Sequence, residues 1–97
     1  MAAHLDDVPV KHNHAAQQFE LEFNGYTGLL AYRRAPGKIS LDHTFVPAPI
    51  EGQGAAAKLT RAALDFARAE KLRVVPACSY VAAFVSEHAE YQDLVAK

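Results

Sequence analysis

The sequence predicts an α+β domain in which an antiparallel sheet precedes a strand–helix–strand unit. Residues 18–23 alternate between apolar and polar side chains, which is the period of a half-buried strand. Asn24-Gly25 follows directly and is typical of a two-residue type I′ hairpin turn. Over residues 52–69 the apolar spacing becomes that of a helix, and a short apolar segment comes after it. With 97 residues there is room for one core, so we assign residues 1–97 to a single domain.

Three well-marked strands are predicted before the helix, over residues 18–23, 26–33 and 38–46. Short turns join them, so they should form an antiparallel meander. Strict alternation in the third strand divides its side chains between two faces. One face is predicted to carry Ile39, Leu41, His43 and Phe45, and the other Ser40, Asp42, Thr44 and Val46.

The N-terminal residues give weaker signals. Residues 1–7 are polar and are expected to be disordered. Residues 8–11 could form a short edge strand, because Pro9 suits a sheet edge. His12 and His14 are expected to lie exposed in the turn that follows.

A long helix, a short strand and a second helix are predicted to follow the meander. The first helix covers about residues 52–69 and is rich in alanine, which favours helix formation and close packing on a sheet. Residues 72–76 form a short strand, which should be parallel to the strand before the helix after a right-handed crossover. Ser79 is the predicted N-cap of a second helix over residues 80–88.

Composition and charge argue against several classes of protein. A net charge of −1 gives no general affinity for nucleic acid or anionic lipid. One cysteine excludes an intrachain disulfide framework and a Cys-x-x-Cys metal site, so we expect no metal. Without an apolar run of about 20 residues or a secretion signal, the chain is expected to be cytoplasmic, as a monomer or a weak dimer.

The loop at residues 52–56 is the first candidate binding site. It reads Gly-Gln-Gly-Ala-Ala, follows a strand that ends at Pro47, and opens the long helix. Glycines allow a ligand to approach the backbone, and the first amides of a helix are unpaired. Ala57 replaces the third glycine of a dinucleotide fingerprint, and the Gly-Lys-Ser/Thr of a P-loop is missing. We predict that the loop binds the pyrophosphate of a nucleotide-like cofactor; an ordinary turn is the alternative.

Cys78 and His43 are the candidate reactive residues. Cys78 follows the C-terminal end of a predicted strand and precedes a helix, whose dipole would favour the thiolate. The alternative is a small buried hydrophobic residue. His43 could be a packed histidine, or a base if it lies next to Cys78.

Four segments of the sequence resemble the YjdJ-type branch of the GCN5-related N-acetyltransferase superfamily. They are His43-Thr44-Phe45-Val46-Pro47, Glu51-Gly52-Gln53-Gly54-Ala55-Ala56, Val75-Pro76-Ala77-Cys78-Ser79-Tyr80-Val81 and His88-Ala89-Glu90-Tyr91. The superfamily's loop pattern, Gln/Arg-x-x-Gly-x-Gly/Ala, is matched except at Glu51, whose carboxylate would repel phosphate. The resemblance implies a minimal acetyl-CoA N-acyltransferase fold with three layers, in which two parallel strands splay apart.

The resemblance also implies a cofactor, acetyl-CoA, and a division of labour around it. The pantetheine arm would pair with the backbone of Thr44, Phe45 and Val46. Cys78 and His43 would be the catalytic pair at the thioester. The pyrophosphate would lie on the amides of the loop residues Gly52, Gln53, Gly54, Ala55 and Ala56.

Two main hypotheses of function follow. The first is an acetyl-CoA-dependent N-acetyltransferase that moves an acetyl group to an unidentified amine on a small molecule or a protein, directly or through Cys78. The second is an acetyl-CoA- or CoA-binding module without significant turnover that acts through a protein partner. This hypothesis rests on the short chain, which has no sequence for the superfamily's usual C-terminal strands. A structural domain without a ligand is a third alternative.

Overall fold

The computed structural model describes residues 4–95, which form one mixed sheet of five strands with two α-helices on it. The strands are β1 (Lys11–Asn13), β2 (Gln18–Phe23), β3 (Tyr26–Ala35), β4 (Lys38–Phe45) and β5 (Arg73–Val75). The helices are α1 (Ala55–Ala69) and α2 (Ser79–Glu87). Neighbouring strands follow chain order; β1 to β4 are antiparallel, and β4 and β5 are parallel. The predicted α+β class, with a meander before a β-α-β-α unit, is confirmed.

The hairpin between β2 and β3 forms where Asn24-Gly25 predicts it. Phe23 pairs with Tyr26, so the two central residues make the whole connection. Asn24 has φ 52° and Gly25 has φ 80°, the positive values that a type I′ turn requires at both positions. This turn sets the register of the meander, which brings the apolar side chains of β2 and β3 to one face.

Both helices pack on the same face of the sheet, which we call the inner face. Leu21, Leu30 and Ile39 are almost fully buried there. The buried residues of α1 and α2 join this single core, whereas the residues between the buried ones on the strands lie half-buried or exposed on the outer face. Val95 forms a parallel β-bridge with Val74 of β5. The crossover through α2 therefore advances across the sheet in the same direction as the crossover through α1.

Over residues 4–95, the two helices therefore lie side by side on the inner face of the sheet. Two successive right-handed crossovers that advance in the same direction across a sheet leave their helices on the same face.

Strand β4 contains a β-bulge that the sequence pattern does not reveal. Tyr32 of β3 pairs with Leu41, but the preceding residue Ala31 pairs with His43. Asp42 is therefore the extra residue, so that two residues of β4 stand against one of β3. Beyond Asp42 the alternation of faces is reversed.

The bulge changes which residues of β4 face the core. Leu41 is buried on the inner face before the bulge. After it, Thr44 stands opposite the fully buried Leu30 and so faces inward, whereas His43 and Phe45 are exposed on the outer face. The predicted strict alternation is wrong from Asp42 onward.

The N-terminal segment is ordered from residue 4. Residues Leu5–Asp7 form a 3-10 helix in which Leu5 is buried. The ammonium group of Lys58 on α1 donates hydrogen bonds to the carbonyl groups of Leu5, Asp6 and Val8. The predicted disorder of residues 1–7 is therefore wrong for residues 4–7; residues 1–3 lie outside the described chain.

The histidines near the N-terminus belong to an aromatic cluster. The ring of His12 is half-buried and stacks on Phe19 at 4.1 Å and on His14 at 3.7 Å between centroids. Its Nε2 atom lies 2.6 Å from the hydroxyl oxygen of Tyr32. Burial, followed by the charges of His14 and Arg34, lowers the pKa of His12 below its ordinary value. The expected exposed turn is wrong for His12, which lies in β1.

We expect the free energy of unfolding to decrease as the pH falls below about 6.5, the pKa of an unperturbed histidine. The folded-state pKa of His12 is lower than its unfolded value, so the unfolded chain binds more protons in this range. The contribution of His12 to the free energy of unfolding is complete above that pH. It is lost as the pH falls through the pKa of His12 in the folded chain. Solvent screening of the half-buried ring limits it to at most about 1 kcal/mol. Urea unfolding at pH 5 and pH 7 measures this change in the free energy of unfolding. In His12→Gln, the free energies at the two pH values should differ less than in the native chain.

His4→Gln is the matched control, because His4 is exposed. It should keep the pH dependence of the native chain. An equal pH dependence in the native chain and in His12→Gln would contradict the assignment to His12.

No α-helix in residues 4–95 combines the length and the apolar character needed to span a membrane. In the same residues, no group of three or more His, Cys, Asp and Glu side chains is arranged to hold a metal ion.

Candidate functional site

A cavity of about 260 Å³ lies where the first turns of α1 and α2 meet the end of β4. Its lining consists of Val46, Glu51, Gly52, Gly54, Ala55, Ala56, Ala57 and Tyr80. Five of the eight predicted cofactor-binding residues are in this lining; Thr44, Phe45 and Gln53 are not. The sequence reasoning missed Ala57 and Tyr80 as lining residues. Helical spacing could have suggested Ala57, but only the packing of α2 beside α1 brings Tyr80 to the loop.

The backbone at the two glycines of the loop lies in open space. Gly52 has φ 79° and Gly54 has φ 91°, and a Cβ added at either residue would meet no atom within 4 Å. Gly54 is the N-cap residue of α1, and its carbonyl accepts the first helical hydrogen bond, from Lys58 at 3.0 Å. In the described residues 4–95, the backbone N–H groups of Ala55, Ala56 and Ala57 precede that first bond, so they have no partner within the helix. Unpaired donors at a helix N-terminus suit an anion such as a diphosphate.

The charges around the cavity decide how an anion could be held there. No lysine or arginine is among the described lining residues, and Glu51 is exposed at its rim. A carboxylate facing the loop would repel phosphate, and the repulsion weakens if the side chain turns toward water. The residues present therefore fit a diphosphate through main-chain donors rather than through cationic side chains.

The parallel strands diverge beside this cavity. β4 and β5 pair over three residue pairs, ending at Ser40 and Val75. β4 continues to Phe45, whereas the chain leaves β5 and returns through the backbone N–H of Cys78, which donates to the carbonyl of Leu41 at 2.8 Å. The divergence of the parallel strands that the resemblance implied is therefore present.

Cys78 lies at the start of α2, next to this divergence. It is itself the N-cap residue, so the predicted cap at Ser79 is one residue too late. The residue is half-buried, and its Sγ atom lies 3.5 Å from the hydroxyl oxygen of Thr44. Burial raises the pKa of the thiol, but hydrogen bonds from the hydroxyl of Thr44 and from the backbone N–H groups of Val81, Tyr80 and Thr44 outweigh it. The resulting pKa is lower than usual, which favours the reactive thiolate.

His43 is not brought to Cys78 by any described contact. It is exposed on the outer face of the sheet, opposite Ala31. No hydrogen bond joins His43 to Cys78 in residues 4–95, and the side chain beside the sulfur is that of Thr44. The expectation that His43 shares a face with Leu41 is wrong because of the bulge. A catalytic role for His43 stays a prediction.

Comparisons with known sequences agree with this geometry. A family model described as GCN5-related N-acetyl-transferase matches residues 18–94. Protein NATD1 of Bos taurus is 37% identical over 84 residues, which cover 84% of this chain and 74% of that protein. Protein NATD1 of Homo sapiens is 34% identical over 84 residues, with the same coverage of both chains.

A solved structure shares the fold. The solution NMR structure of a GCN5-like candidate N-acetyltransferase from Staphylococcus aureus superposes with a TM-score of 0.73 at 25% identity. The superposition covers 95% of this chain and 91% of the other. The resemblance to the superfamily is thus confirmed, whereas the YjdJ-type branch within it stays a prediction. By its match to the family model over most of its length, and by its fold, this chain belongs to the GCN5-related N-acetyltransferase family.

Proposed function

We propose that this chain is an N-acetyltransferase that takes its acetyl group from acetyl-CoA and transfers it to an amine. The observation that carries the proposal is the row of unpaired backbone N–H groups in the first turn of α1, at Ala55, Ala56 and Ala57, which lies at a cavity beside the diverging strands. A diphosphate is the part of acetyl-CoA that such a row would hold. When bound, acetyl-CoA supplies a thioester whose acetyl group an amine can accept.

Two groups of residues would hold this donor. The amides of residues 52–56 would bind the diphosphate, and the first turn of α1 favours negative charge there. The backbone of Thr44, Phe45 and Val46 would pair with the pantetheine arm, because β4 extends beyond its pairing with β5. Of these three residues, Val46 also lines the cavity.

Cys78 is the proposed reactive residue, with two possible routes. In the covalent route, the thiolate attacks the acetyl carbonyl carbon, S-acetyl-Cys78 forms and the CoA thiolate leaves. The amine nitrogen then displaces the Cys78 thiolate, gives up its proton and becomes an amide. In the direct route the amine attacks the thioester itself, and Cys78 only assists. In either route a backbone N–H group near Phe45 or Val46 would polarise the acetyl carbonyl.

His43 is the predicted proton acceptor for both routes. Because its side chain lies on the outer face, it would receive the proton through water or from an amine that approaches from that side. Because no described contact joins His43 to Cys78, a second candidate function is also supported. In that alternative the chain binds acetyl-CoA or CoA without significant turnover and acts through a protein partner.

Titration with acetyl-CoA tests the binding step. We expect the amide signals of residues 52–57 to shift in ¹H–¹⁵N NMR spectra, because their N–H groups gain an acceptor. S-acetylpantetheine, which has no diphosphate, is the matched ligand control and should leave these signals nearly unchanged. Absence of any shift at millimolar acetyl-CoA would contradict both the transferase and the binding module. Release of CoA thiol in the presence of amines or peptides then separates the two.

A further inference from the structure

We propose that Thr44 is a positioning residue, whose hydroxyl holds the sulfur of Cys78 in its thiolate form at the divergence of the strands. The inference deepens the proposed function and rests on Cys78 as its reactive residue. In the sequence pattern, Thr44 lies on the face opposite Leu41 and contributes only backbone to the cofactor site. The folded chain gives its side chain a different neighbour.

The direction of the Thr44 side chain is set by the β-bulge. The bulge at Asp42 shifts β4 by one residue against β3, which turns Thr44 to the inner face. There its Oγ1 atom lies 3.5 Å from Sγ of Cys78. Without the extra residue, the same side chain would point to the outer face and His43 would point inward. The bulge thus selects which of two neighbouring polar side chains meets the thiol.

The residue that carries the sulfur is held in place relative to β4. The backbone N–H of Cys78 donates to the carbonyl of Leu41 at 2.8 Å, three residues before Thr44 on the same strand. Cys78 also begins α2, so its position is tied to the helix as well as to the strand. Two main-chain anchors therefore define the separation between the hydroxyl and the sulfur.

The chemistry of the contact favours the thiolate form of Cys78. A hydroxyl can accept a hydrogen bond from a thiol or donate one to a thiolate, whereas the backbone N–H groups around the sulfur only donate. Donors favour the charged form, since each bond to a thiolate is charge-assisted. In the described residues 4–95, no lysine, arginine or histidine side chain is hydrogen-bonded to Cys78, and the Thr44 hydroxyl is the side-chain group in contact with the sulfur that can donate to a thiolate.

Alkylation of Cys78 by iodoacetamide, measured against pH in the absence of acetyl-CoA, tests this inference. Thr44→Val should move the midpoint of the alkylation profile to higher pH and reduce the rate near pH 7 about 3- to 10-fold, since one pKa unit corresponds to about a tenfold change in thiolate fraction. Thr44→Ser should restore the native profile because it keeps the hydroxyl. Thr27→Val is the matched control: Thr27 is exposed on the outer face of β3 and should leave the profile unchanged.

Two results would overturn the inference. One is a Thr44→Val profile that superimposes on the native profile; the other is a Thr44→Ser profile displaced as far as that of Thr44→Val. Thermal unfolding of each variant establishes that it is folded, and Thr44→Ala removes the same hydroxyl if the valine variant does not fold. The readout needs no acetyl-CoA, so it is independent of the binding titration. A chain that shows the shift without binding acetyl-CoA keeps the Thr44 contact and loses the transferase.

Discussion

Replacing Cys78 by alanine is expected to lower kcat for acetyl transfer at least about 100-fold, the range in which loss of a group acting directly on the reacting atoms falls. The physical reason is that the donors around the sulfur stabilise a thiolate, and alanine removes the only thiol of the chain. The measurement is the release of CoA thiol from acetyl-CoA with a saturating amine acceptor. Binding of acetyl-CoA, measured separately by calorimetry, distinguishes loss of chemistry from loss of the donor.

Ser79→Ala is the matched control for this experiment, because Ser79 is the adjacent exposed residue at the start of α2. It should retain nearly native activity. The covalent route further requires that the native chain gain the mass of one acetyl group when incubated with acetyl-CoA alone, and that its kinetics be ping-pong. Full activity of Cys78→Ala would eliminate the covalent route.

Replacing Gly54 by alanine is expected to weaken the binding of acetyl-CoA at least about tenfold. Gly54 has φ 91°, and a side chain in the left-handed region costs about 1–2 kcal/mol. Relief of this strain rotates the peptide groups next to Gly54 and displaces the unpaired N–H groups at the start of α1 from the proposed diphosphate. Isothermal titration calorimetry with acetyl-CoA gives the change in Kd.

Gly25→Ala separates the loss of binding from the loss of stability. Gly25 has φ 80° and, like Gly54, has no atom within 4 Å of an added Cβ, so the strain is similar. It lies in the hairpin between β2 and β3, outside the cavity lining. We expect this variant to unfold at a lower temperature and to bind acetyl-CoA as the native chain does. Equal weakening by both substitutions, or native affinity in Gly54→Ala, would contradict the assignment of the diphosphate to this loop.

The elements with local signals were predicted well. The Asn24-Gly25 turn, the strand Gln18–Phe23 and the end of α1 at Ala69 depend on backbone preferences and on spacing within a few residues. Boundaries were less accurate: α1 begins at Ala55 rather than at residue 52, because Gly52 and Gly54 adopt left-handed conformations before the helix. The glycines that predicted the loop therefore also move the first residue of the helix to Ala55.

The neighbours of the reactive thiol could not be predicted in the same way. A β-bulge is a relation between two strands, and here its cause is one extra residue of β4 against β3, which leaves no mark in the alternation of β4 itself. A shift by one residue exchanges the two faces of a strand, so the face predicted from the alternation is wrong for every side chain of β4 after the bulge. Without the bulge, the alternation of β4 would turn His43 rather than Thr44 to the face of Leu41.

The amino-acid sequence alone determined the meander, the glycine loop at the mouth of α1 and the place of Cys78 after a strand and before a helix. These depend on φ preferences and on apolar periods, which act over short distances along the chain. Only the tertiary structure decided that Thr44 rather than His43 faces the sulfur, and that Tyr80 of α2 reaches the loop. Both contacts join residues far apart in sequence, and their geometry depends on how the strands slide and the helices pack once the core has closed.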